Sequence, residues 1–329
     1  MDIYGETLKF LLSLRRVDEW SELQELLKQA VARRPRDWQL PVLACEAVGG
    51  MPERSLPAVA AIACLQISII LIDDMLDEDP RGEYRRRGMP AVTNLAAAFQ
   101  AAGLEAVATS TYQDYILEPE VRLAVFHRLN HMVLATALGQ HWDTQNPADE
   151  NSYWRMVHTK SGPFYGAALY VGALYGGASI HLAEQLRRWG QCYGEMIQIH
   201  DDLNDSLATP ASQDWKLGRA SLPILFAQEV QHPKRERFLD LRQVISDPDA
   251  LAEAQEILLR CGAISYGVYQ LLRRYKTAQA TLTTLPLVQR SQLEDLLKSQ
   301  VQPIRALFQA IGVEAAPPGL PDESPVMMG

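Results

Sequence analysis

Apolar residues recur at intervals of three and four along most of the chain, as at Leu8, Leu11 and Leu12 and again at Leu23, Leu26 and Leu27. That is the spacing of one buried face of an α-helix. No run of alternating β-branched residues is long enough to predict a strand. Turn signals at Gly49-Gly50-Met51-Pro52, Gly88-Met89-Pro90, Gly176-Gly177, Ala208-Thr209-Pro210 and Asp247-Pro248 cut the pattern into roughly ten helical stretches. No composition shift marks a linker and no repeat of solenoid period is present. The expectation is one all-α domain over residues 1–315. The periodicity stops at Ala316-Pro317-Pro318-Gly319, and residues 316–329 are expected to form a disordered tail.

The longest apolar stretch, Pro57 to Ile72, is interrupted by Gln66 and Ser68 and runs into two aspartates. It reads as a buried core helix and not as a membrane span, so no transmembrane segment is expected. The N-terminus lacks a basic-then-apolar signal pattern. The four cysteines contain no CxxC and give neither a disulfide framework nor a zinc spacing, so the expected setting is reducing and cytoplasmic. With 47% apolar and 22% charged residues in 329, the chain can build a sizeable core. A net charge of −9 argues against a nucleic-acid-coating surface, and no nucleic-acid partner is expected.

Two segments carry the chemistry. One is Leu71-Ile72-Asp73-Asp74-Met75-Leu76-Asp77-Glu78-Asp79, the other Gln198-Ile199-His200-Asp201-Asp202-Leu203-Asn204-Asp205. Each places aspartates at i, i+1 and i+4, within about 100° of one helix face, and each ends a largely apolar helix. Three carboxylates on one face repel one another and are costly to desolvate. A hard cation relieves that cost, and Mg²⁺ suits a site of one or two carboxylates, water and substrate phosphate oxygens. A single cluster could be a solvated helix end. Two copies about 128 residues apart, both after apolar helices, point to faces opposed across a cavity. An EF-hand is excluded because neither segment has the glycine and glutamate that such a loop needs. His127 and His131 share a helix face, but no glutamate follows His127 and no third ligand is evident, so packing is the reading for them. Arg85, Arg86 and Arg87 follow the first cluster, and Lys160 and Arg219 stand in apolar or turn-like surroundings. Guanidinium groups read phosphate oxygens in bidentate fashion.

Taken together, these motifs make the chain resemble the trans-type isoprenyl diphosphate synthases, the family that includes the polyprenyl synthetases. Asp73-Asp74-x-x-Asp77 and Gln198-x-x-Asp201-Asp202-x-x-Asp205 match its two aspartate-rich motifs. Arg86-Arg87-Gly88-x-Pro90 matches the arginine segment, and Gly139-Gln140-x-x-Asp143 and Lys160-Ser161-Gly162 the elements between. Asp214-x-x-x-Gly218-Arg219-x-Ser221-Leu222-Pro223 matches the last, with Arg for Lys. The resemblance implies a bundle of ten or more helices around a central apolar tunnel, and a homodimer. It implies Asp73, Asp77, Asp201 and Asp205 as metal ligands, with Asp74 and Asp202 as ligands or supports. Arg86, Arg87, Lys160, Arg219 and Gln198 would bind diphosphate. The implied chemistry is ionisation of an allylic prenyl diphosphate with three Mg²⁺ ions, the cation being held in a water-excluding tunnel.

The chain departs from this family at the isopentenyl diphosphate site. Arg34 falls at the family's lysine position, Pro35 and Asp37 at its two arginine positions, and Gln66 at its histidine position. Only Arg87 is unchanged. Losing one charge-assisted bond costs roughly 1.5–3 kcal/mol, and Asp37 adds repulsion. The expectation is therefore an enzyme that ionises farnesyl, geranylgeranyl or longer diphosphates as a synthase-like terpene synthase, or that transfers the prenyl group to another acceptor. The alternatives are a chain-elongating, geranylgeranyl-type synthase and, further back, a non-catalytic subunit of a heteromeric synthase. Ser68 and Ile69, just before the first motif, are expected to face the tunnel and to leave room for a long chain.

Overall fold

The computed structural model describes residues 2–109 and 117–310. The predicted tail at 316–329 lies outside the described residues. The chain opens with α1 (Ile3–Leu12) and α2 (Ser21–Arg33), a 3-10 turn at Arg36–Gln39, α3 (Leu40–Ala47) and a second 3-10 turn at Pro52–Ser55. Then follow α4 (Leu56–Leu76), α5 (Glu83–Arg87), α6 (Met89–Ala108), α7 (Pro119–Thr144), α8 (Glu150–Lys160), α9 (Gly162–Tyr175) and α10 (Ile180–Leu207). The rest is α11 (Gln213–Lys216), α12 (Leu222–Glu229), α13 (Arg235–Arg242), α14 (Pro248–Arg260), α15 (Ala263–Thr284) and α16 (Ser291–Ala310). No strand occurs among the described residues, so the all-α expectation holds. There are more helices than the expected ten stretches because some breaks, such as Ser13 to Trp20, carry no glycine or proline.

The apolar segment around Pro57–Ile72 becomes α4, whose N-terminal half, Leu56–Leu65, is buried on every side and is accordingly apolar all round. Ala58, Ala61, Ile62 and Leu65 face one core cluster. Val59, Ala60, Ala63, Cys64 and Ile67 face another. By length and hydropathy the segment Pro52–Leu76 could cross a membrane, as could Met89–Ala108, yet most of the first is covered by protein. Proline in the first turn starts α4, α6, α7, α9, α12 and α14, where its missing N–H is not needed.

Across the core, α9 packs on α10 closely enough that a Cβ on Gly190 would meet the Cα of Gly166 at 2.9 Å. The contact aligns α10 with its neighbours. The C-terminal ends of α4 and α10 then come to the same cavity. Both ends present the negative pole of a helix dipole, and both carry aspartates there.

Candidate active site

The cavity between these helix ends has a volume of about 390 Å³. Seven aspartates line it, among them Asp73 and Asp77 of the first cluster and Asp201, Asp202 and Asp205 of the second, against two basic side chains, Lys160 and Arg219. Ile69, Met156, Phe164 and Ile197 supply apolar wall. The structure thus brings the two predicted clusters together although they are far apart in sequence.

The excess negative charge shows in the proton affinities. Burial, then repulsion from Asp202, Asp205 and Asp37, pushes the Asp201 carboxyl up to about 7 against the pull of Lys160. Burial, then Asp143, Asp202 and Asp205, pushes Asp214 up to about 7, with Arg219 opposing. Asp77 is raised by burial and by Asp73, although Lys160 and Arg219 both stabilise its charge. Asp205 is raised by burial, with Arg81 opposing.

Lys160 ends α8 and reaches Asp143 at 2.6 Å and Asp73 at 3.3 Å. Burial works against its charge, but Asp73, Asp143 and Asp77 outweigh it and hold its pKa above the usual lysine range. Its position depends on Gly139 of α7. A Cβ there would collide with the backbone of Lys160 and Thr159, so only glycine lets the two helices touch. Gln140, one residue on, donates to Asp73 at 3.1 Å. Arg219 is 8% exposed. It is bonded to Asp77, lies 3.5 Å from Asp143, and donates to the Leu76 carbonyl at 3.0 Å.

Asp202 does different work from its neighbours. It is buried and accepts from the Tyr153 hydroxyl at 2.6 Å, the Leu222 amide at 2.7 Å and Gln198 at 2.9 Å. Burial pushes its carboxyl up to about 6 while these three donors pull it down. With its oxygens engaged, Asp202 ties α10 to α8 and α12. Gln198 in turn accepts from Ser161 at 2.5 Å. Tyr153 carried no sequence signal that marked it for this role.

Other predicted residues lie elsewhere. Asp74 is absent from the large cavity and lines a smaller one of about 120 Å³. Burial, then Asp79 and Asp73, pushes its carboxyl up to about 6. Arg86 and Arg87 line neither cavity. Arg87, 11% exposed, is clamped by Glu25 at 2.7 Å and Glu83 at 2.8 Å, and Arg86 pairs with the same two carboxylates. Of the two residues expected to face a tunnel, Ile69 lines the large cavity. Ser68 does not: it is fully buried, with a hydroxyl that has no hydrogen-bond partner. At about 100° per residue, position i−4 from Asp73 shares its face and i−5 falls well round the helix.

In the departing segment, Gln66 lies between two partners. It accepts from the Trp38 indole at 2.7 Å and donates to Asp37 at 2.7 Å. Burial raises the Asp37 carboxyl, with the Gln66 bond opposing. Arg34 turns away, pairing with Asp2 at 3.4 Å and stacking over the Tyr4 ring.

Among the described residues no three acidic, histidine or cysteine side chains converge as a ready-made metal cage. The acidic side chains around the cavity are nevertheless seven carboxylates, all oxygen donors, and they carry more negative charge than Lys160 and Arg219 offset. That fits Mg²⁺, which takes few protein carboxylates and keeps its water.

An all-α bundle with two aspartate-bearing helix ends opposed across one cavity defines a class. The profile of the polyprenyl synthetase family matches residues 22–258, and the chain belongs to that family, whose members are prenyl-transferring enzymes. The chain is 30% identical over 262 residues to a short chain isoprenyl diphosphate synthase of Methanothermobacter thermautotrophicus, covering 75% of this chain and 78% of the relative. It is 29% identical over 270 residues to a geranylgeranyl diphosphate synthase of Methanosarcina mazei, covering 78% and 81%. In fold it is similar to a geranylgeranyl pyrophosphate synthetase from Pyrococcus horikoshii, with TM-score 0.76 at 23% identity over 92% of this chain and 95% of the other. These relatives favour the chain-elongating alternative over the expected terpene synthase or transfer to a different acceptor.

Proposed function

We propose that this chain is a Mg²⁺-dependent prenyl diphosphate synthase that ionises an allylic diphosphate in the large cavity and lengthens it with isopentenyl diphosphate to a product of about geranylgeranyl length. The observation that carries this reading is the opposition of Asp73 and Asp77 to Asp201 and Asp205 across a cavity that also holds Lys160 and Arg219. The relatives support the elongating step, since they are short chain and geranylgeranyl synthases.

Asp73, Asp77, Asp201 and Asp205 would hold the metal. Bound Mg²⁺ would neutralise the carboxylates and act as Lewis acid toward the leaving diphosphate. Lys160 and Arg219 would stabilise the same developing charge in a partly dry site, where such donors count most. Ile69, Met156, Phe164 and Ile197 would keep water from the allylic cation. We extend the same proposal to three ions, a homodimer and a cytoplasmic setting. The intact aspartate clusters weigh against a non-catalytic subunit.

A second reading has its own observation. Asp37 and Gln66 bind each other and Arg87 is neutralised by Glu25 and Glu83, so three of the acceptor-side positions offer no free positive charge, although Arg33 and Arg81 line the smaller cavity beside them. That favours an acceptor other than isopentenyl diphosphate. The test is diphosphate release from farnesyl diphosphate with Mg²⁺, with and without isopentenyl diphosphate, with products identified by mass. Turnover to a longer diphosphate only when isopentenyl diphosphate is present supports elongation. Turnover without it, to a hydrocarbon or alcohol, overturns elongation in favour of the second reading.

A further inference from the structure

The main chain that carries Arg219 is held from two sides by residues that none of the sequence motifs contain. On one side, just past the end of α7, Asn146 donates to the Gly218 carbonyl at 2.9 Å and accepts from the Ala220 amide at 2.9 Å. On the other, Arg242 in the last turn of α13 donates to the Gly218 carbonyl at 2.6 Å and to the Arg219 carbonyl at 3.2 Å. The peptides on both sides of Arg219 are therefore fixed by side chains.

The geometry of both clasps is specific. Asn146 has φ 60° and Gly218 φ 70°, in the left-handed region that asparagine and glycine reach most easily. Asp143, on the same helix end as Asn146, faces the Arg219 guanidinium at 3.5 Å. The terminus of α7 thus meets Arg219 at its backbone and at its charged end. Arg242 forms no ion pair among the described salt bridges, and burial lowers its pKa with no carboxylate opposing the shift. A half-buried guanidinium spent on two carbonyl oxygens is costly, which makes its placement informative.

We infer that Asn146 and Arg242 are positioning residues for Arg219: they fix residues 218–220 so that the guanidinium is held over Asp77 before any substrate arrives. This inference rests on the proposed role of Arg219 at the diphosphate. An arginine on a free loop would have to be ordered in each catalytic cycle, and preorganisation removes that cost.

The test is a double-mutant cycle on the full chain. Asn146→Gly keeps the backbone freedom and removes both side-chain bonds. Arg242→Gln shortens the side chain and withdraws the Nη2 that donates to both carbonyls, and Arg242→Lys returns a long side chain ending in a single donor nitrogen. Each is made alone and with Arg219→Gln, and farnesyl diphosphate turnover is measured with Mg²⁺ and isopentenyl diphosphate. Expected are losses of about tenfold in kcat/KM for Asn146→Gly and Arg242→Gln, partial recovery in Arg242→Lys, and less than about twofold further loss in the Arg219→Gln background. Equal losses in both backgrounds would show that the clasp acts without Arg219 and would overturn the inference. Calorimetric binding of inorganic diphosphate with Mg²⁺ gives a second readout on the same variants. It decides the matter if the wild type fails to turn over, an outcome that counts against the proposed function: coupling between Arg242 and Arg219 in this binding supports the clasp, and additivity or no binding overturns it.

Discussion

The Arg219 guanidinium is bonded to Asp77, 142 residues earlier in the chain. A cation from the loop between α11 and α12 thereby closes on a carboxylate at the end of α4. Arg219 and Lys160 both pair with the first cluster and with Asp143, and the negative charge of the second cluster is left for Mg²⁺.

Asp73→Ala and Asp201→Ala each remove a carboxylate from opposite walls. Diphosphate release from farnesyl diphosphate is expected to fall by at least roughly 10²–10³-fold in each, the scale for losing one group that stabilises a developing charge. Asp202→Asn is expected to act differently, because it leaves the Leu222 amide and the Tyr153 hydroxyl with altered partners inside the protein. Its first effect is loss of about 1–3 kcal/mol of stability, read by thermal unfolding. Near-wild-type turnover in both alanine variants would refute the metal assignment.

Chain length is expected to respond to position 69 and not to position 68. Ile69→Phe adds bulk to the cavity wall and should shift products to shorter diphosphates by mass. Ser68→Phe forces a ring into a fully buried site and should cost about 1–3 kcal/mol of stability. Shorter products from Ser68→Phe at unchanged stability would contradict this placement.

Asp37→Asn keeps a polar partner for Gln66 and removes a negative charge. Under elongation, KM for isopentenyl diphosphate should fall by roughly threefold to tenfold, the equivalent of about 1 kcal/mol of relieved repulsion, with a smaller change in KM for the allylic substrate through Asp201, which Asp37 also repels. An unchanged isopentenyl KM would remove Asp37 from the acceptor side.

Stability should depend on pH through the cavity carboxyls. Asp201 and Asp214 are held near 7 in the folded chain, above the ordinary aspartate value of 3.8. The folded state therefore binds more protons than the unfolded state between these values. The associated stabilisation is complete below about 4 and is lost as pH rises through about 7. Metal-free protein should lose thermal stability between pH 5 and about 8. Mg²⁺ with diphosphate should reverse the loss most at the alkaline end, because metal binding needs deprotonated ligands. A melting temperature independent of pH in metal-free protein would contradict the charge balance described for the cavity.

The aspartate clusters could be read from the sequence because each sits at a helix end, where periodicity fixes which side chains share a face. The course of α5 could not be. Whether Arg86 and Arg87 turn toward the cavity depends on Glu25 of α2, about 60 residues earlier, and nothing local encodes that pairing. Ser68 and Ile69 differ by one step around the helix, about 100°, which is enough to put one in the cavity wall and the other in the packed interior. Asn146 and Arg242 were invisible because their partners are backbone carbonyls and an amide, which every residue possesses. In the sequence Gln66 shows only as the absence of a histidine, whereas in the structure its amide joins Trp38 to Asp37.

Gly139 has no side chain to offer a substrate, yet it decides where Lys160 stands. In a survey of variants, position 139 should therefore group with the charged residues of the cavity and not with the helix interior around it. A single methyl there would push α8 away from α7 and carry the lysine off its two aspartates. For this site, the distance between two backbones is as much a catalytic specification as the identity of any reactive group.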